Sequence, residues 1–168
     1  TGEYLALFAP GGALVQQFPA TYPTPLLFPD QHDRVTYGLN GTGAEKYFKP
    51  ATPGAANGSG YNGVVADTTF SVKRGIYTTA QTVILASPTP GATLVYTTNG
   101  TEPTLANGTQ VPPANGSTPP TVTMTIHPGA IPGGATGVNI ASTTTGTTTL
   151  RAAAFKSGFA PTNTDTNT

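Results

Sequence analysis

Thr121-Val122-Thr123-Met124-Thr125-Ile126-His127 decides the fold class of this chain. Polar and apolar residues alternate there without a break, and successive side chains of an extended strand point to opposite faces. Val122, Met124 and Ile126 therefore share an inward face, and three threonines share the other. Such a strand needs a partner layer for its apolar face. Thr69–Val72, Gln81–Ala86, Thr93–Thr98, Val138–Ser142 and Thr147–Phe155 all read as short strands bounded by Pro, Gly or Asn. Six or seven strands of this kind predict an all-β sandwich. Alternation places Val83, Leu85, Leu94, Tyr96, Leu150, Ala152 and Ala154 inside it, with Thr97 and Arg151 pointing away.

Outward from this region the pattern loosens. Gly2 to Phe8 reads as a strand apolar on both faces, Pro10-Gly11-Gly12 as a turn, and Ala13 to Phe18 as the returning strand of a hairpin. Prolines recur too densely between Pro19 and Asp33 for regular pairing, after which Val35-Thr36-Tyr37-Gly38-Leu39 forms a short third strand. Residues 54–62 are almost wholly Gly, Ala, Asn and Ser and read as a linker. The expected organisation is a smaller, incomplete β portion over 1–57, a linker over 58–65 and the sandwich over 66–168. Nothing favours a helix longer than one turn.

Only 8% of residues are charged, against about 25% in ordinary domains, while 21 Gly and 17 Pro supply turn punctuation. Seven basic and seven acidic side chains cancel, so no long-range field draws nucleic acid or anionic lipid. No run approaches the roughly 18 apolar residues of a membrane span. No basic segment followed by an apolar one opens the chain at Thr1, which reads as an exported chain already relieved of its leader. Cysteine is absent, which excludes disulfides and thiolate metal sites.

Phe70-Ser71, Gly75-Ile76-Tyr77, Val83, Leu85, Pro90-Gly91-Ala92, the run Leu94 to Thr104 and Thr149 to Phe155 with Gly158 together resemble the C-terminal domain of chitobiases and β-hexosaminidases over roughly 66–168. Asn99-Gly100 there is expected to supply the positive-φ residues of a tight reversal. Asn99 stands where that family usually has Asp, and residues between Gln110 and Gly137 read as a long insertion. More weakly, Gly2 to Leu7 with Pro10-Gly11-Gly12, Val35 to Gly38, Tyr47-Phe48 and Thr52 to Asn57 are similar to the closing strands of a lamin-tail-like domain. Both resemblances imply immunoglobulin-like, non-catalytic modules of extracellular bacterial proteins.

Candidate chemistry is sparse. Only His32 and His127 are available as bases, and no zinc-binding His pair, Gly-x-Ser-x-Gly elbow or phosphate loop occurs. His127 reads as a partly exposed strand end. Asp30-Gln31-His32-Asp33-Arg34 reads as a capped turn rather than a metal site. No enzyme activity, metal or cofactor is expected. Tyr22, Tyr47 and Tyr61, placed in loops, are the candidate sugar-contacting aromatics. Five Asn-Gly-Thr/Ser sequons, at Asn40, Asn57, Asn99, Asn107 and Asn115, exceed the roughly two expected by chance and are the glycosylation candidates; the competing reading is a favoured turn pair in a Thr-rich chain. The expected function is that of a non-enzymatic extracellular structural or adhesive protein, a glycosylated subunit of a fibre or surface assembly. It would form a homopolymer by β-strand exchange through Tyr4–Phe8. The alternative is a carbohydrate-binding or spacer module of a secreted glycoside hydrolase.

Overall fold

A chain with this much Thr, Val, Gly and Pro builds strands and turns, and the computed structural model contains no helix among the residues it describes, 5–18, 29–142 and 147–167. The expectations for residues 2–4, for most of the Pro-rich stretch and for Tyr22 lie outside the described residues. The chain divides into two units, 1–62 and 63–168.

In the first unit, β1 (Leu5–Phe8) and β2 (Leu14–Phe18) pair antiparallel as the expected hairpin. Gly12, at φ +82°, supplies the left-handed residue of its turn. A second two-stranded sheet joins β3 (Thr36–Leu39) to β4 (Glu45–Phe48). Composition gave no warning of β4 beyond its Tyr-Phe pair. Phe48 is buried, and the rings of Tyr37 and Tyr47 meet edge-on at 4.9 Å. Residues 58–65, read as a linker, are instead built into structure. Tyr61 exchanges both main-chain hydrogen bonds with Tyr47, at 3.0 and 2.8 Å. Val65 is buried in the second unit, where it packs with Ala92 and Ala154. Small residues permit that closeness: a Cβ on Gly60 would lie 2.8 Å from the Phe48 ring.

The second unit is a sandwich of two four-stranded sheets. One runs β10 (Val138–Ala141), β9 (Thr121–His127), β6 (Gln81–Ala86), β5 (Thr69–Phe70); the other runs β12 (Asp165–Asn167), β11 (Leu150–Phe155), β7 (Thr93–Thr97), β8 (Thr109–Val111). Two sheets of mostly antiparallel strands facing each other give the immunoglobulin-like sandwich. The core is Val83, Leu85, Leu94, Tyr96, Met124, Leu150 and Ala152, with Val122 and Ile126 packed against it, as the alternation required. Ala154 is buried in the smaller Val65 cluster.

β9, the strand expected within the Gln110–Gly137 insertion, lies inside its sheet between β6 and a parallel β10. Three details differ from the sequence reading. Thr97 lies on the outer face yet is only 6% exposed, because the loop after β7 folds back and the Thr97 hydroxyl donates to the Thr101 carbonyl at 2.6 Å. His127 is buried rather than partly exposed. Its Nε2 lies 2.8 Å from Asn139 Oδ1, and since the Asn139 amide nitrogen donates to Thr136 and Gly137, that oxygen accepts and His127 Nε2 carries the proton. Finally, Gly100 alone takes the left-handed conformation at φ +77°; Asn99 serves the turn with its side chain instead.

Candidate functional site

The five sequons sort by what their side chains already do. Asn99 Oδ1 accepts from Thr101 N at 3.1 Å and from the Thr101 hydroxyl at 2.7 Å. Asn115 Oδ1 accepts from Ser117 N at 2.9 Å and from the Thr118 hydroxyl at 2.8 Å. Both are Asx-turns, in which the side-chain oxygen holds the backbone two residues on, and both residues are exposed. Asn40 builds the same turn onto Thr42, but its Nδ2 also donates to the Ser59 carbonyl at 3.3 Å. Asn57 donates from Nδ2 to Leu39 O at 2.7 Å and accepts from the Thr52 hydroxyl. Asn107 spends Nδ2 on Glu102 O at 2.6 Å and on the Thr101 hydroxyl at 3.2 Å. Asn99, Asn107 and Asn115 are thus exposed, whereas Asn40 and Asn57 are half-buried, since both are hydrogen-bonded into the first unit.

Tyr47 sits on β4 rather than in a loop, with its ring edge-on to Tyr37 and 5.9 Å from the His32 ring. Tyr61 is half-buried beside it through the main-chain bridge. Burial, and then the hydrogen bond from its hydroxyl to Glu45 Oε2 at 3.0 Å, push Tyr37 up to about 12. Burial, followed by the Asp30 carboxylate, also raises Tyr47. Around Asp30 and Asp33 the chain makes a turn: Val35 N donates to His32 O, Arg34 takes φ +58°, and Arg34 Nε lies 3.3 Å from Asp33 in the open. No group of three His, Asp or Glu side chains gathers there or elsewhere among the described residues.

At one end of the sandwich a cavity of about 450 Å³ opens between the sheets. Val72, Val83, Ile126 and Leu150 form its apolar floor, which is continuous with the core. Lys73, Arg74, Ile76 and Tyr77 stand at its rim. The Tyr77 hydroxyl donates to Lys73 O at 2.8 Å, so the 73–77 segment closes on itself and holds the ring in place. Ile76 is fully exposed. Ser142 and Thr148 belong to the wall, and their hydroxyl oxygens are buried without a hydrogen-bond partner among the described residues. Sequence reading did not assemble this site, because its walls come from four separated stretches. Its one linear signal is Lys73-Arg74, adjacent cations in a chain with seven in all.

No helix among the described residues is long and apolar enough to cross a membrane. No curated protein and no solved structure matches the chain. Residues 72–110, from the cavity rim through β6 and β7 into β8, match the family model of the chitobiase/beta-hexosaminidase C-terminal domain, an immunoglobulin-like domain, and this match does not extend to the resemblance of the first unit to a lamin tail.

Proposed function

We propose that this chain is a non-enzymatic extracellular structural or adhesive module, a glycosylated subunit of a fibre or surface assembly joined to its neighbours by β-strand addition. The observation that carries this reading is the hairpin. Leu5, Leu7, Phe8, Leu14 and Val15 are all between 49% and 61% exposed, and no third strand adds to the β1–β2 sheet among the described residues. An exposed apolar strand pair is a template for a neighbour's strand. Head-to-tail repetition of such a contact builds a filament when its rotation does not close. Glycan would sit on the exposed Asx-turns of Asn99 and Asn115, whose turn bonds run through Oδ1 rather than Nδ2, and would keep so weakly charged a surface dispersed.

Sedimentation and electron microscopy of the purified chain test this. Filaments are expected, and deleting residues 1–8 abolishes them; filaments of unchanged repeat in the truncated protein overturn the proposal. Glycopeptide mapping of natively isolated material is expected to find sugar at Asn99 and Asn115 before Asn57 and Asn107. The family match favours a second reading, a carbohydrate-binding or spacer module of a secreted glycoside hydrolase. Binding to insoluble polysaccharide that is lost on replacing Tyr47 or Tyr61 by Ala would select it.

A further inference from the structure

We infer that the cavity at the end of the second unit's sandwich is a binding site for a small amphipathic anion, an aryl or branched-alkyl carboxylate, with its apolar body on the core floor and its carboxylate between Lys73 and Arg74. Three independent features define that ligand. The floor is Val72, Val83, Ile126 and Leu150, and apolar walls bind apolar bodies because contact there removes hydrocarbon surface from water. A space of about 450 Å³ falls in the range that admits a small organic molecule.

Charge supplies the second feature. Lys73 and Arg74 are exposed, neither has an ion-pair partner among the described residues, and no carboxylate lines the cavity. Elsewhere in this unit the cations are committed. Arg151 pairs with Glu102 and donates to Gly100 O, and Lys156 donates to Pro90 O while lying 4.5 Å from the centre of the Phe159 ring. The unsatisfied positive charge of the second unit is therefore gathered at the cavity mouth. A guanidinium and an ammonium at one cavity mouth favour a carboxylate through charge-assisted hydrogen bonds.

The third feature is the aromatic rim above an apolar floor. A uronic acid carries hydroxyls around its whole ring and would bury several against that hydrocarbon floor, whereas an aryl carboxylate buries none. Tyr77, fixed at the rim by its bond to Lys73 O, offers a ring edge or face to an aromatic body.

Titration of the intact chain with 4-phenylbutyrate, followed by amide chemical shifts, tests the site. Saturable shifts are expected at Lys73 to Tyr77, Gln81 and His127, with a Kd below about 1 mM. Under the same conditions 4-phenylbutanol, which lacks the charge, binds roughly ten-fold more weakly, and glucuronate shifts nothing at this site. The double variant Lys73→Gln/Arg74→Gln touches only exposed side chains; its spectrum stays that of the folded protein, and it binds phenylbutyrate no better than the alcohol. The inference is overturned by shifts that do not saturate up to about 20 mM, by glucuronate binding at these residues, or by undiminished phenylbutyrate affinity in the double variant.

Discussion

Every buried apolar residue among the described ones belongs to residues 63–168, except Phe48. The second unit closes two sheets over aliphatic side chains, whereas the first has two separate hairpins held by rings at their edges and by asparagine side chains. Asn57 ties Leu39 to Thr52, and Asn40 ties its own turn to Ser59. Apolar burial contributes in proportion to area, while a hydrogen bond traded against water contributes about 1 kcal/mol net. The contrast teaches that a stretch richer in aromatic residues can still have the smaller core: residues 1–62 hold 9 of the 14 Phe and Tyr. The difference lies in whether alternation runs far enough for sheets to face one another.

Leu94→Ala is the sharpest way to break this contrast. Leu94 is fully buried between the sheets, so its truncation costs about 2–5 kcal/mol, and the loss is confined to the second unit. Chemical denaturation followed at amides of both units checks it: amides of Tyr37 and Tyr47 keep their midpoint while those of Val83 and Ala152 move. Gly91→Ala comes next. Gly91 has φ +71°, and an added Cβ would lie 2.5 Å from the Gly116 carbonyl oxygen, a main-chain atom, so the loop between β6 and β7 is destabilised by about 1–3 kcal/mol. Equilibrium unfolding measures that loss directly.

In the first unit, Asn57→Ala removes one donor and one acceptor from half-buried carbonyl and hydroxyl partners and is expected to cost about 1–2 kcal/mol, with only the 1–62 amides affected. The smallest effect is on pH. Folded Tyr37 keeps its proton up to about 12, whereas an unfolded tyrosine ionises near 10. Between those values the unfolded chain holds fewer protons than the folded one, so stability falls as pH rises through this window and is unaffected below it. Phenolate absorbance during alkaline titration follows this, and Tyr37→Phe removes the Tyr37 contribution.

The strands that alternation named were found within a few residues, and β6 and β9 at their expected bounds. Strands lacking apolar residues were not legible. β12, Asp165-Thr166-Asn167, pairs with β11 because Asp165 accepts from Thr68 N and from its hydroxyl, and because Asn167 donates to Val72 O. Those partners are more than ninety residues away in sequence, so no local pattern announces them. Val65 was hidden for the opposite reason, a core residue set among Gly, Asn and Ala. The sequons were legible as positions, but the fate of each Nδ2 depends on carbonyls brought near by turns. The cavity needed the fold itself, since its apolar floor and its cations are contributed by different strands and loops.

Asp165 and its neighbours bear on how the second unit would respond to force. Residues 63–72 run in the same direction beside residues 160–167: Val64 bridges Ala160 in parallel, Val65 N donates to Ala160 O and Ala160 N to Gly63 O, both at 2.9 Å, and Thr68 and Val72 are bonded further along. Tension drawing the start of this unit one way and its end the other would slide these two segments past each other. The bonds along them would then bear load together rather than opening one after another, which makes the seam a mechanical clamp for the sandwich.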